Sequence, residues 1–172
     1  MSGDDYTGTV ETARVYYNSD DADRFYSLVW GGEDIHIGLY QTPDESIFDA
    51  SRRTVEAIAD AAEAVLSGGE AVRVLDLGAG YGGAARYLVE RFGCHVDCLN
   101  LSEVQNQRNR DMNQDRGGDI AEKIEVIDGS FEAIPGGDAR YDLVWSQDAI
   151  LHSGKRDVVL ADKELLNEEL QH

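Results

Sequence analysis

Residues 72–88 read VRVLDLGAGYGGAARYL, and this passage constrains the fold more than any other. Apolar residues that favour strands (Val72, Val74, Leu75, Leu77) run into four glycines within six positions, Gly78, Gly80, Gly82 and Gly83. The pattern then turns helical. Strand, glycine turn and helix in that order place a ligand at the carboxyl end of the strand. Gly78 allows the sharp exit, Gly80 lets a ligand approach the backbone, and helix N–H groups from about Gly82 face it. Gly78, Gly80 and Gly83 also satisfy G-x-G-x-x-G, a pattern that alone leaves the ligand open. Asp76, two residues before the first glycine, narrows the choice. A carboxylate there balances a cationic group and would oppose an anionic pyrophosphate.

The rest of the chain extends this unit. Residues 1–19 are polar and are expected to fray. DADRFYSLVWGG (21–32) reads as a short amphipathic helix halted by Gly31 and Gly32, and 33–46 as a loop. Pro43 and Asp44 are expected to open a helix through about Ser67, with Ile47, Val55, Ile58, Ala62 and Leu66 broadly at helical spacing. From there the spacing predicts strand 71–77, helix 82–92, strand 94–100, helix 102–115, strand 123–127, strand 141–146 and a last helix from about 154. Strands alternating with helices imply parallel pairing and an α/β doubly wound sheet. About four strands is short for such a sheet, so the C-terminal side reads as truncated. That would leave an open edge through which copies could associate. The reading divides the chain into a lid segment, 1–45, and a ligand-binding domain, 46–172.

Composition bounds the partners. The 172 residues carry 34 acidic and 15 basic side chains, a formal charge of −19. Such a surface repels phosphate backbones, which argues against nucleic acid. Salt would screen its self-repulsion, so the charge reads as adaptation to a salt-rich cytoplasm. No apolar run is long enough to span a bilayer, and no signal peptide is evident. Cys94 and Cys98 fall on one face of a strand, too far apart for an easy disulfide, and no second Cys/His pair stands at zinc spacing. They read as buried, reduced thiols in a cytoplasmic protein without a metal site.

LDLGAGYGG resembles the first motif of the S-adenosylmethionine-dependent methyltransferases with a Rossmann-like sheet. The resemblance implies that Asp76, Gly78, Ala79 and Gly80 bind that cofactor. In DCLNLSEVQNQRN (97–109) the family usually carries an acid for the ribose hydroxyls. Here Asn100 stands in its place, followed by Leu101 and Gln105. An amide can serve both hydroxyls, yet Asn100 could equally be a turn residue before a helix capped by Ser102. VIDGSF (126–131) matches the adenine-reading segment, with Asp128 accepting from the exocyclic amine and Gly129, Ser130 and Phe131 at the ring edge. Without the resemblance, Asp-Gly there is simply a turn.

YYNSDDADRFYSLVWGGEDIHIG (16–38) and SQDAILHS (146–153) narrow the resemblance to the small-molecule N-methyltransferases of sarcosine, dimethylglycine and phosphoethanolamine. LNLSEVQNQRN leans toward the sarcosine/dimethylglycine members, which make the osmolyte glycine betaine. In that family a lid tyrosine and a histidine after the fourth strand lie over the transfer site. By motif these are Tyr26 and His152, with Tyr16, Tyr17 and Tyr40 as neighbouring candidates. Gln147 and Asp148 fall near the cofactor and the substrate nitrogen. The attacking amine must be unprotonated and held about 3 Å from the methyl carbon. An imidazole can take the ammonium proton, a tyrosine can orient both partners, and Tyr26 or Trp30 could hold a quaternary ammonium by cation–π attraction. Trp30 as lid packing is the plainer reading, and His36 and His95 carry no functional expectation.

Other readings remain. A phosphoethanolamine enzyme would want an Arg/Lys cluster, and none is visible. A non-catalytic cofactor-binding domain would follow from the early stop. Hydride transfer is disfavoured by Asp76 and by Asn100, where a nicotinamide nucleotide would want an acid.

Overall fold

The structure, a computed structural model, describes residues 8–30, 32–132, 134, 141–153, 155, 156 and 159. Four parallel strands form one sheet in the order β3-β2-β1-β4: β1 Arg73–Leu77, β2 His95–Asn100, β3 Ile124–Asp128 and β4 Leu143–Trp145. Asp76 lies opposite both Cys98 and Trp145, and Asn100 opposite Asp128. The central strands therefore end at one level, and their carboxyl ends face the same side.

Side-chain alternation along β1 gives the sheet two buried faces. Val74 packs with Val96, Cys98 and Trp145 against Ala85, Leu88 and Val89 of α5 (Gly83–Phe92) and Val55 and Ala59 of α3 (Ile47–Ala61). Leu75 and Leu77 pack with Leu99, Tyr141 and Val159 on the other face. Both cysteines are buried and unbridged, and burial pushes the Cys94 thiol up to about 11. The doubly wound expectation holds. Among the described residues no helix is long and apolar enough to cross a membrane.

Several boundaries differ from those expected. Helix α3 starts at Ile47 because Ser46, extended at φ −67 and ψ 147, accepts the Asp49 N–H on its hydroxyl. Pro43 and Asp44 sit in the preceding turn, closed by Glu45 N–H on the Thr42 carbonyl. The helix pauses at Ala62 before a single turn, α4 (Glu63–Leu66). Helix α6 (Glu103–Arg116) is followed by α7 (Gly118–Lys123), a turn the spacing did not suggest. The helix expected from about 154 lies mostly outside the described residues.

The fraying expected over 1–19 is overturned for Gly8–Tyr17, which form helix α1, followed by α2 (Asp20–Val29). Ten residues make a marginal helix alone, and only Val10 of α1 is buried. Polar contacts to distant residues hold it instead. Ser102 Oγ donates to the Tyr17 carbonyl at 3.1 Å, and Arg14 pairs with Glu103. A local reading of polarity cannot see such partners.

Helix α6 repeats that lesson. Its buried face is made of Gln105, Asn106, Asn109 and Asn113, amides rather than an apolar stripe. Gln105 accepts from the Asn100 amide and Asn106 donates to the Asn100 carbonyl and Asp128, while Asn109 and Asn113 meet Arg86 of α5, which is 0% exposed. Its guanidinium donates to Asn109 Oδ1 (2.9 Å), Asn113 Oδ1 (2.7 Å), Glu33 Oε2 (2.6 Å) and the Tyr81 carbonyl. A buried charge satisfied on every side fixes α5, α6 and the 33–40 loop together.

Candidate cofactor and transfer site

The four glycines divide their labour. Gly78 and Gly80, with φ of +83° and +55°, line a cavity at the carboxyl ends of the strands. A Cβ on Gly78 would come within 2.2 Å of the Ala149 Cβ, and one on Gly80 within 3.1 Å of Ile35. Gly82 and Gly83 are packing glycines: a Cβ would strike Asn109 at 2.2 Å or the Asp34 carboxylate at 2.1 Å. The turn is pinned beneath by Gly78 N–H on the Leu99 carbonyl, and beside it by Gly129 N–H on the Asn100 carbonyl.

One end of the cavity is formed by Asn100, Leu101, Ser102, Gln105, Ser130 and Phe131. Asn100 does not choose between its two readings. Its amide donates to Gln105 Oε1 at 3.1 Å while facing the cavity, and Ser102 caps α6 by accepting the Gln105 N–H. Asp128 accepts Asn106 Nδ2 at 2.7 Å and Arg110 Nη2 at 2.6 Å. Asp76, Ala79, Asp128 and Gly129 are not among the residues lining the cavity. Asp76 is enclosed in the sheet, where burial raises its carboxyl to about 7. It does not reach the cavity to meet a cationic ligand group.

The other end is closed by α1, α2, the 33–40 loop and the segment after β4. It holds Tyr17, Tyr26, Ile35, His36, Gln147, Asp148 and His152. The hydroxyl that meets His152 belongs to Tyr17, 3.1 Å from Nε2, with the rings edge-on. Burial raises the Tyr17 phenol, so it keeps its proton and can donate to Nε2 of the Nδ1–H tautomer. Tyr26 stacks behind Tyr17, with ring centroids 6.0 Å apart. The motif assigned Tyr26 to the place Tyr17 occupies; both line the cavity. Trp30 does not line it and donates its indole N–H to the His36 carbonyl at 3.0 Å, which favours the packing reading.

Gln147 is 7% exposed, lines the cavity, and neither its Oε1 nor its Nε2 has a hydrogen-bond partner among the described residues. A buried amide left unmade costs stability, and its place on the wall marks it for a ligand. Asp148 holds φ +56°, the one positive φ outside glycine among the described residues, and its Oδ2 accepts the Ile37 N–H at 2.8 Å. Strain of this kind collects at functional sites.

His36, which carried no expectation, is brought into the wall. In the run EDIHIG the polar residues Asp34 and His36 turn inward while Ile37 is 74% exposed. That inverted alternation was the available signal. Burial lowers the His36 imidazole to about 4, against the pull of Asp148, so the ring is neutral in ordinary buffer. Asp34, paired with Arg52 Nε at 2.9 Å, has its carboxyl raised by burial. No arginine or lysine lines the cavity among the described residues. Nor do they include a group of three or more acids, histidines or cysteines able to hold a metal ion.

A parallel doubly wound sheet with a glycine turn at its first strand and a mostly apolar cavity above it is the architecture of a nucleotide-type cofactor domain. The family described as a methyltransferase domain matches residues 74–167, and the chain belongs to that family. It is 57% identical over 159 residues to a glycine/sarcosine/dimethylglycine N-methyltransferase of Actinopolyspora halophila, covering 92% of this chain and 27% of that protein. It is 56% identical over 150 residues to a sarcosine/dimethylglycine N-methyltransferase of Aphanothece halophytica, covering 87% and 52%. A crystal structure of a candidate sarcosine dimethylglycine methyltransferase from Galdieria sulphuraria superimposes with a TM-score of 0.75 at 51% identity, covering 84% and 53%. The chain therefore spans about half the length, or less, of these relatives. The [4+2]-cyclase SpnF superimposes at 0.78 with 23% identity, covering 96% of this chain. That likeness shows the fold alone, and the fold does not fix the reaction.

Proposed function

We propose that this chain binds S-adenosylmethionine and serves N-methylation of sarcosine and dimethylglycine, with glycine betaine as product. The observation that carries the reading is the pairing of Tyr17 with His152 over a cavity whose buried Gln147 amide lacks a partner among the described residues. Identity of 55–57% to proteins named for these substrates supports it.

The residues present fit the cofactor. Gly78 and Gly80 leave bare backbone where a Cβ would intrude, Asn100 and Gln105 would offer amides to ribose hydroxyls, and Ser130 and Phe131 would stand beside the adenine. Gln147 can donate to a carboxylate and accept from an ammonium. When bound, the cofactor supplies an electrophilic methyl on a sulfonium.

This chain's residues prepare the acceptor. A dimethylglycine ammonium placed under Tyr17 passes its proton to the Tyr17 oxygen as the Tyr17 hydroxyl proton moves to Nε2 of His152, and the freed lone pair is aimed at the methyl. Tyr17 holds the imidazole at its Nε2 edge. The Asp148 carboxylate and the faces of Tyr17 and Tyr26 favour a cation. No arginine or lysine lines the cavity among the described residues for either a carboxylate or a phosphate, and identity to proteins named for sarcosine and dimethylglycine favours dimethylglycine over phosphoethanolamine. Such an activity belongs in the cytoplasm, and the acidic surface suits one rich in salt.

The experiment is a methyl-transfer assay in molar salt with dimethylglycine, sarcosine and phosphoethanolamine compared at equal concentration. Betaine formed from dimethylglycine, with phosphoethanolamine unmethylated, is expected. Preferential turnover of phosphoethanolamine would overturn the substrate assignment.

A further inference from the structure

We propose that Glu103 is a positioning residue: it clamps α1 and thereby holds the Tyr17 hydroxyl on His152. The consequence for rate rests on the function proposed above, but the geometric claim does not.

Beyond the contacts of the Tyr17 ring with Tyr26 and His152, helix α1 has little apolar packing to hold it. It buries only Val10, while Val15 and Tyr16 are 63% and 52% exposed. Its C-terminal end is instead gripped by the first residues of α6. Glu103 Oε1 accepts Arg14 Nε at 2.9 Å and Arg14 Nη2 at 2.5 Å, and Glu103 Oε2 accepts Asn18 Nδ2 at 2.5 Å. Ser102 Oγ, 2.7 Å from Asn18 Oδ1 and 3.1 Å from the Tyr17 carbonyl, completes the grip. One carboxylate thus binds residues on both sides of Tyr17, fixing its position and the direction of its side chain. Partial burial would raise the Glu103 carboxyl, but its bonds from Arg14 and Asn18 outweigh this and hold it below the usual range.

The clamp also joins two parts of the site. Glu103 directly follows Asn100–Leu101–Ser102, which line one end of the cavity, and through α1 it sets the tyrosine at the other end. A ligand seated against that turn would stiffen the base to which the lid is fastened. An exposed ion pair of ordinary geometry contributes little. Here two donors of one guanidinium and a side-chain amide converge on a single carboxylate, which restricts orientation as well as distance.

The test reads the ring signals of His152 by NMR, assigned with His152→Asn, in the whole chain and in Arg14→Ala, Glu103→Gln and the double variant. Tyr17→Ala marks the position of the signals when the tyrosine is gone. Each single variant is expected to move them part of the way toward that position, and the double variant no further than either single. Unmoved signals in Glu103→Gln, or shifts that add in the double variant, would overturn the clamp. Asn18→Ala replaces any variant that fails to fold and carries the same expectation. In the methyl-transfer assay Glu103→Gln should lower kcat about three- to tenfold, with the affinity for S-adenosylhomocysteine changed less. An equal loss of that affinity would place Glu103 in support of the cofactor turn and contradict the proposal. Should the chain fail to bind S-adenosylhomocysteine at all, the proposed function falls, and the His152 signals still decide the clamp.

Discussion

The Tyr17 hydroxyl stands 3.1 Å from Nε2 of His152, across 135 positions of sequence. The contact closes one end of the cavity and brings a protonated phenol to an imidazole edge. Tyr17→Phe should lower kcat by about 10²-fold, the lower range for a positioned proton-transfer partner, and leave S-adenosylhomocysteine affinity nearly intact. Tyr26→Phe, which keeps the stacked ring, should cost far less. Steady-state rates with dimethylglycine rank the two, and the reverse order would restore Tyr26 to the role its motif suggested.

Gly78→Ala should damage the fold as well as the site. Its φ of +83° disfavours a side chain, and the added carbon meets Ala149 at 2.2 Å. A loss of about 1–3 kcal/mol is expected in urea melts. Gly80→Ala meets Ile35 at 3.1 Å at its tightest, so it should melt closer to the parent while weakening S-adenosylhomocysteine at least tenfold.

Asp76 sets a pH dependence whose sign is fixed. Its folded carboxyl, raised by burial to about 7 from the ordinary 3.8, binds a proton that the unfolded chain has released. Stability from this group is therefore full below about pH 4 and is lost as pH rises toward and through 7, by at most about 4 kcal/mol. Asp76→Asn should flatten that decline. Urea midpoints at pH 5 and pH 8 check it: the parent should lose more between the two than the variant does.

Arg86 is enclosed by Glu33, Asn109, Asn113 and the Tyr81 carbonyl. Arg86→Met would strand those acceptors, and a loss of about 3–5 kcal/mol is expected. A thermal melt of Arg86→Met within a few degrees of the parent would show the network to be dispensable.

The formal charge of −19 should make stability depend on salt. The melting temperature is expected to rise from dilute buffer to molar potassium chloride; an unchanged value would remove the argument for a salt-adapted surface.

The sequence was most legible where local chemistry decides the structure. The glycine turn, the strands around it and the doubly wound sheet followed from apolar runs and backbone freedom. It was least legible where distant polar groups decide. Helix α1 lacks an apolar stripe and is located by Glu103 and Ser102. The inner face of α6 is built from amides because buried Arg86 needs acceptors from Asn109 and Asn113, and the Asn100 turn and Asp128 are bonded by Gln105 and Asn106. Tyr17 and Tyr26 lie on different helices, and neither spacing nor composition says which hydroxyl reaches His152. His36 was signalled only by a polar residue alternating inward between two isoleucines. Asp76 and Asp128 hold motif positions that suit a ligand, but burial encloses Asp76, and Asp128 lies off the cavity wall while accepting from Asn106 and Arg110.

The most direct test of the account is a calorimetric titration of the chain with S-adenosylhomocysteine in high salt, with NAD as the control and Gly80→Val as the blocked site. Saturable one-to-one binding that Gly80→Val abolishes, with no heat from NAD, is the predicted result. Binding of NAD in its place, or S-adenosylhomocysteine affinity indifferent to Gly80→Val, would contradict it.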